Sequence, residues 1–249
     1  MTASLGAASS LDPALERLPE WDLSDLYPGP QSAELAAELE RAAAAAAKFS
    51  DRYRGRLATL DGAALGAAVA DYERLQETLG RVSSYAQLVH AGDMTDPEVG
   101  KFFQGMQERV TDISAETLFF TLEINRLDDA ALADKLRDPA LARYGPWLRD
   151  LRAFRPHQLS DDLERLLHEK QVAGRAAWTR AFDETMADLR FPVDGRKLTA
   201  NEVVDLLSDR DGALRRKAAE TIGRVLGENR RGFALIVNTL AKDKEIEDK

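Results

Sequence analysis

The chain has 249 residues, of which 44% are hydrophobic and 31% charged, an ordinary balance for a soluble globular protein. Its formal net charge of −9 argues against a nucleic-acid binder, which needs a basic face. The absence of cysteine excludes disulfides, thiolate metal ligands and a cysteine nucleophile, and no apolar run approaches the roughly 20 residues that span a bilayer.

Met1 to Leu15 lacks the basic start and apolar stretch of a secretory signal, and residues 1–17 read as a disordered tail. Leu18 to Pro28 crowds aromatic residues, acids and prolines ahead of a long helical pattern. It reads as an anchor that pins the chain onto a helical body, with Trp21 and Tyr27 as its buried groups. Leu35, Leu39, Ala42, Ala46 and Phe49 then recur near the helical period, predicting a helix over 32–54. A second helix is expected over 62–90, burying Leu65, Val69, Tyr72, Leu75, Leu79, Val82, Leu88 and Val89. Asp96 as N-cap with Pro97 behind it starts a third, expected to run unbroken to Asn125. Short turns near 128–136 and a helix opened by Asp138-Pro139, carrying Trp147 and Leu148, complete a first helical region over 18–155.

Arg155 to Ser160 reads as a linker, with Ser160 as the N-cap of a single helix through Met186. The period then changes. Leu189, Phe191 and Val193 alternate, Asp194-Gly195 is a hairpin turn, and Pro192 confines the strand to an edge or bulge. Thr199 and Glu202 have capping-box spacing, and two further helices follow, over 211–226 and from 229 onward. The expected fold is therefore mainly α: an array of antiparallel helices with one short β-hairpin near 189–198, and a second region over 156–249.

Chemistry is sparse. A zinc-peptidase helix needs H-E-x-x-H, because residues four apart share a helical face. Here His168-Glu169 is followed by Val172 at the second ligand position, so His168 reads as a surface or helix-packing residue. His90, near a helix end, reads as a partner of the helix dipole, and His157 as a turn residue. Neighbouring acids such as Asp128/Asp129, Asp161/Asp162 and Asp183/Glu184 do not face one another across a cleft, and read as solvated. So do the basic clusters Arg215-Arg216-Lys217 and Arg230-Arg231. No residue is assigned a catalytic, metal-binding or cofactor-binding role.

Five blocks carry a resemblance. Trp21-Asp22-Leu23-Ser24-Asp25-Leu26-Tyr27 resembles the start of oligoendopeptidase F proteins, zinc peptidases related to thimet oligopeptidase. Pro156-His157-Gln158-Leu159-Ser160 leading into Glu164-Arg165-Leu166-Leu167 is similar to a later block, as is Ala177-Trp178-Thr179-Arg180-Ala181-Phe182-Asp183-Glu184-Thr185. Leu206-Leu207-Ser208-Asp209-Arg210-Asp211 with Arg215-Arg216-Lys217-Ala218-Ala219, and Asn238-Thr239-Leu240-Ala241-Lys242-Asp243-Lys244, complete the set in the family's order.

The resemblance implies a mostly helical, cytoplasmic zinc endopeptidase that hydrolyses short peptides. It places the zinc ligands in a C-terminal catalytic region, beyond the present residues. On this view the chain is the N-terminal channel wall, inactive alone and binding no zinc itself, with helices between Gly62 and Met186 lining the channel. Its partners would be short peptides and that catalytic region, with neither nucleic acid nor membrane. Phe233, Ile236 and Leu240 would form an exposed face on the last helix, open to self-association. The alternative is a free-standing helical protein-interaction module without catalysis.

Overall fold

The computed structural model describes residues 21–248, so the expected tail over 1–17 and the start of the anchor segment lie outside the described residues. The chain is mainly helical with one two-stranded antiparallel hairpin, as the sequence pattern predicts. Helix α1 spans Ala33–Tyr53, capped by Ser32, whose side chain accepts from the Leu35 amide. Helix α2 spans Gly62–Gly92, capped in the same way by Asp61. Its 31 residues make a rod of about 46 Å. Helix α3 spans Pro97–Ala115 behind the Asp96 cap.

Ion pairs fix the directions of these three. Glu38 meets Arg81 while Tyr53 bonds Asp71, so α1 and α2 run antiparallel. Glu40 meets Arg109 and Arg54 meets Glu116, so α1 and α3 run in the same sense. One apolar layer between them gathers Tyr27, Leu35, Leu39, Leu79, Val82 and Tyr85. Among the described residues of the anchor segment, Tyr27 is the fully buried side chain. Its ring meets Tyr85 edge-on at 5.1 Å, and its hydroxyl donates to Glu38 at 2.7 Å. Trp21 is 82% exposed, and the expectation of its burial is corrected: Leu23 and Leu26, not the indole, pack beside Tyr27. Leu88 is likewise exposed, because the α2 face that meets α3 carries Tyr85, Ala86 and His90 instead.

The third helix does not run to Asn125. It stops at Ala115, and α4 spans Leu118–Arg126. The hydroxyls of Ser114 and Thr117 donate to the carbonyls of Thr111 and Ser114, competition with the helical ladder that bends helices. The break turns Phe119 and Phe120 into a second apolar layer with Phe49, Leu65, Leu141 and Leu148. Helix α5 (Asp129–Lys135), α6 (Pro139–Ala142) and α7 (Gly145–Arg152) close that layer. Here too one expected helix is two, divided before Gly145-Pro146, since proline suits a first turn and not a helix interior. Arg152 secures the corner by donating to the carbonyls of Ile124 at 2.6 Å and Leu127 at 2.8 Å.

Helix α8 (Asp161–Lys170) and α9 (Arg175–Asp188) replace the single helix expected through Met186. The backbone leaves the helical region at Gly174, which is packed against the Lys170 carbonyl. Ser160 precedes α8, but its side chain makes no capping bond; Glu164 turns back to accept from the Leu159 amide instead. The hairpin pairs β1 (Phe191–Val193) with β2 (Arg196–Leu198), and Asp194 and Gly195 both take positive φ, +48° and +82°. That conformation matches the twist of a two-residue hairpin. Thr199 and Glu202 form the reciprocal capping box at the start of α10 (Ala200–Asp205). Helix α11 (Gly212–Glu228) joins the hairpin in a third apolar cluster around Phe191, Val203 and Val225, and α12 (Arg230–Glu247) lies against α9.

The tightest approach is where α2 passes α5 and α6. A Cβ on Gly66 would stand 2.7 Å from the Ala140 carbonyl carbon and 2.9 Å from the Leu141 nitrogen, and one on Gly62 would strike the Lys135 carbonyl. Gly80, farther along the same helix, has nothing within 4 Å. Gly66→Ala is therefore expected to lower unfolding free energy by about 1–3 kcal/mol through overpacking. Gly80→Ala should raise it by roughly 0.5–1 kcal/mol through helix propensity. Urea unfolding of the two variants measures both.

Candidate functional site at the seam of two helical regions

Helices α8 and α9 bring the second region against α2, α3 and α4. Neither α8 nor α9 contains a fully buried residue, so polar contacts carry much of the junction. At one point Ser114 of α3 lies 2.8 Å from His168 Nε2 of α8. His168 is thus the helix-packing residue its lone H-E pair suggested. Beside it Arg165 reaches Glu116 at 3.6 Å, and Arg126 pairs with Asp161.

At the other end sits His90. It is 2% exposed, stacks flat on Phe103 at 4.4 Å, and holds Nε2 3.8 Å from a Glu184 carboxylate oxygen of α9. Arg180 approaches the same oxygen at 3.5 Å. No hydrogen-bond partner reaches His90 Nε2 among the described residues. His90 does sit in the last turn of α2, where a dipole partner would, but the α2/α3 packing also draws this ring inward. Its position two residues from the helix end at Gly92 carried no signal of that. His157 lies exposed in a 3-10 turn, Arg155–His157, far from either pair in sequence role and contact.

A second concavity lies on the outer side, between α1 and α2. Tyr53 donates to Asp71 at 2.7 Å, and Arg52 and Arg74 pair with the same carboxylate. Burial, reinforced by the hydrogen bond to Asp71, pushes the Tyr53 hydroxyl up to about 12. Arg41 and Lys48 line this groove as well.

Among the described residues, no three His, Asp or Glu side chains gather in an arrangement able to hold a metal ion. His90, His157 and His168 stand on separate elements, each with at most one carboxylate near it. The donors present do not fit zinc.

Residues 123–191, from α4 to β1, match the profile of the family described as Oligopeptidase F. Over that segment, under a third of the chain, the sequence resembles the oligopeptidase F family. The fold agrees. Oligoendopeptidase-F from Enterococcus faecium superposes with a TM-score of 0.71 over 90% of this chain, at 21% identity. A putative peptidase from Chlamydophila abortus is more distant, with a TM-score of 0.49 and 18% identity over 88% of this chain. No curated relative matches. The chain spans 43% of the length of the Enterococcus protein and 38% of the Chlamydophila one.

Two outcomes follow from this geometry. Tyr53 holds its proton more tightly when folded, so its contribution is complete below pH 10 and disappears as pH rises towards about 12. Urea midpoints should fall across that window, and Tyr53→Phe should flatten part of the fall. Ser114→Ala should cost about 1 kcal/mol and speed amide exchange across 161–170, because the α3–α8 bond is lost; unchanged exchange there would contradict the polar seam.

Proposed function

We propose that this chain forms a helical wall of the substrate channel in a cytoplasmic zinc oligoendopeptidase that hydrolyses internal bonds of short peptides. The family match over 123–191 carries the reading. The distribution of apolar surface supports it. Among the described residues, every large exposed hydrophobic except Trp21 and Leu88 lies between 154 and 246. Leu163 and Leu166 on α8 and Leu235 and Val237 on α12 are 48–60% exposed. Apolar surface of this extent usually meets further polypeptide.

The expected exposed face of α12 is corrected by the packing: Ile236 is buried, Phe233 packs edge-on against Phe182, and Leu240 is half-buried. Leu235, Val237 and Ile246 are the residues left outside. We assign that side to the catalytic region, and the division at 155/156 to the junction of the wall with the peptidase body. Among the described residues no donor set fits zinc, and we assign this chain a geometric contribution: rigid helices bound a space that admits flexible peptides and excludes folded proteins. The same apolar surface would serve the rival reading, an interaction module without catalysis.

A quenched oligopeptide assay with added zinc tests the proposal. Residues 1–249 alone should show no chelator-sensitive cleavage, whereas the complete protein should cleave the peptide and spare a folded substrate. Turnover by residues 1–249 alone would sink the wall reading. An inactive complete protein would favour the interaction module.

A further inference from the structure

Between α2, α3 and the turn joining α8 to α9 lies a pocket of about 250 Å³. Its apolar lining is Phe103, Met106 and Val110 of α3, Val172 of the turn, Ala176 of α9 and Ala86 of α2. No charged residue is among the eleven that line it, although 31% of the chain is charged. The groove between α1 and α2, by contrast, is lined by Glu38, Arg41, Lys48, Arg52, Asp71 and Arg74.

Besides the hydroxyls of Ser83 and Thr111, the polar groups at the pocket are three carboxamides, those of Gln87, Gln107 and Gln171. They come from three elements, and the hydrogen bonds found among the described residues engage none of their side chains. Each carboxamide offers two donor hydrogens and an acceptor oxygen, the same pairing that a peptide unit presents. An acidic or basic ligand would find no counter-ion here and would lose hydration on entry. The volume falls below the roughly 300–1,000 Å³ of drug-sized sites, so it suits one side chain rather than a whole ligand.

We infer that this pocket is a subsite for one uncharged, leucine-like side chain of an extended peptide, with the glutamines bonding the flanking peptide units. The inference rests on the wall reading for its substrate class, and places one contact of the peptide on α3 and the α8–α9 turn. It assigns the pocket's neutrality to discrimination: apolar side chains enter, and charged ones are turned away by uncompensated desolvation.

The test is a methyl-NMR titration of residues 1–249, labelled at Met and Val, with the blocked peptides acetyl-Gly-Leu-Gly-amide and its Lys and Glu counterparts. The Leu peptide should shift Met106, Val110 and Val172, with the charged peptides binding at least tenfold more weakly. Gln107→Ala with Gln171→Ala, both in positions that leave the apolar packing intact, should weaken the Leu peptide about three- to tenfold. Absent shifts at those methyls, equal binding of charged peptides, or shifts centred on the α1–α2 groove would overturn the subsite. The titration needs neither zinc nor turnover. Shifts seen in a chain that cleaves peptides by itself would leave the subsite standing and the wall reading lost; missing shifts in an inactive chain would remove the subsite alone.

Discussion

Helix α2 has to meet four neighbouring helices at once, and its side chains are arranged around that demand. Near its start, Gly62 and Gly66 let the backbones of α5 and α6 come within contact distance, which any side chain would prevent. Farther along, Leu75, Leu79 and Val82 fill the space towards α1, and Tyr85, Ala86 and His90 face α3. The two apolar layers of the first region are the two halves of this one rod. Burying a leucine or phenylalanine in such a layer is worth roughly 1.5–3 kcal/mol, so displacing the rod would disturb both layers together.

The second region is built differently. The hairpin, α10 and α11 share a compact cluster around Phe191 and Val203, yet α8 and α9 bury nothing fully. Contact with the first region depends on directional groups: Ser114 with His168, Arg165 with Glu116, and His90 beside Glu184. Of these, the exposed Arg165–Glu116 pair contributes little by itself. A layer held this way on one side, with leucines open on the other, is suited to being completed by further polypeptide.

Much of the fold was legible in the sequence because local rules governed it. Ser32, Asp61, Asp96 and Asp128 each cap a helix with the side chain their residue type suggests. Asp194-Gly195 turns the hairpin, and Thr199 with Glu202 closes the capping box. The breaks inside the longer helices were not legible. Thr117 keeps an apolar period on both sides, and its hydroxyl ends the helix only because Phe119 and Phe120 gain a core by turning. The seam escaped for the same reason, since His90 and Glu184 lie 94 positions apart.

The sequence by itself determined helix content, most helix starts and the hairpin, since each rests on short-range periodicity, capping or local residue identity. It also withheld any metal-ligand spacing, a property readable within a few residues. Only the tertiary structure decided that Tyr27 and not Trp21 is the anchor, that His90 is buried, and that three glutamines surround an uncharged pocket. Those outcomes depend on which faces meet across α2, α3 and the α8–α9 turn. Side chains far apart in the chain acquire a shared environment only when packing brings their elements together.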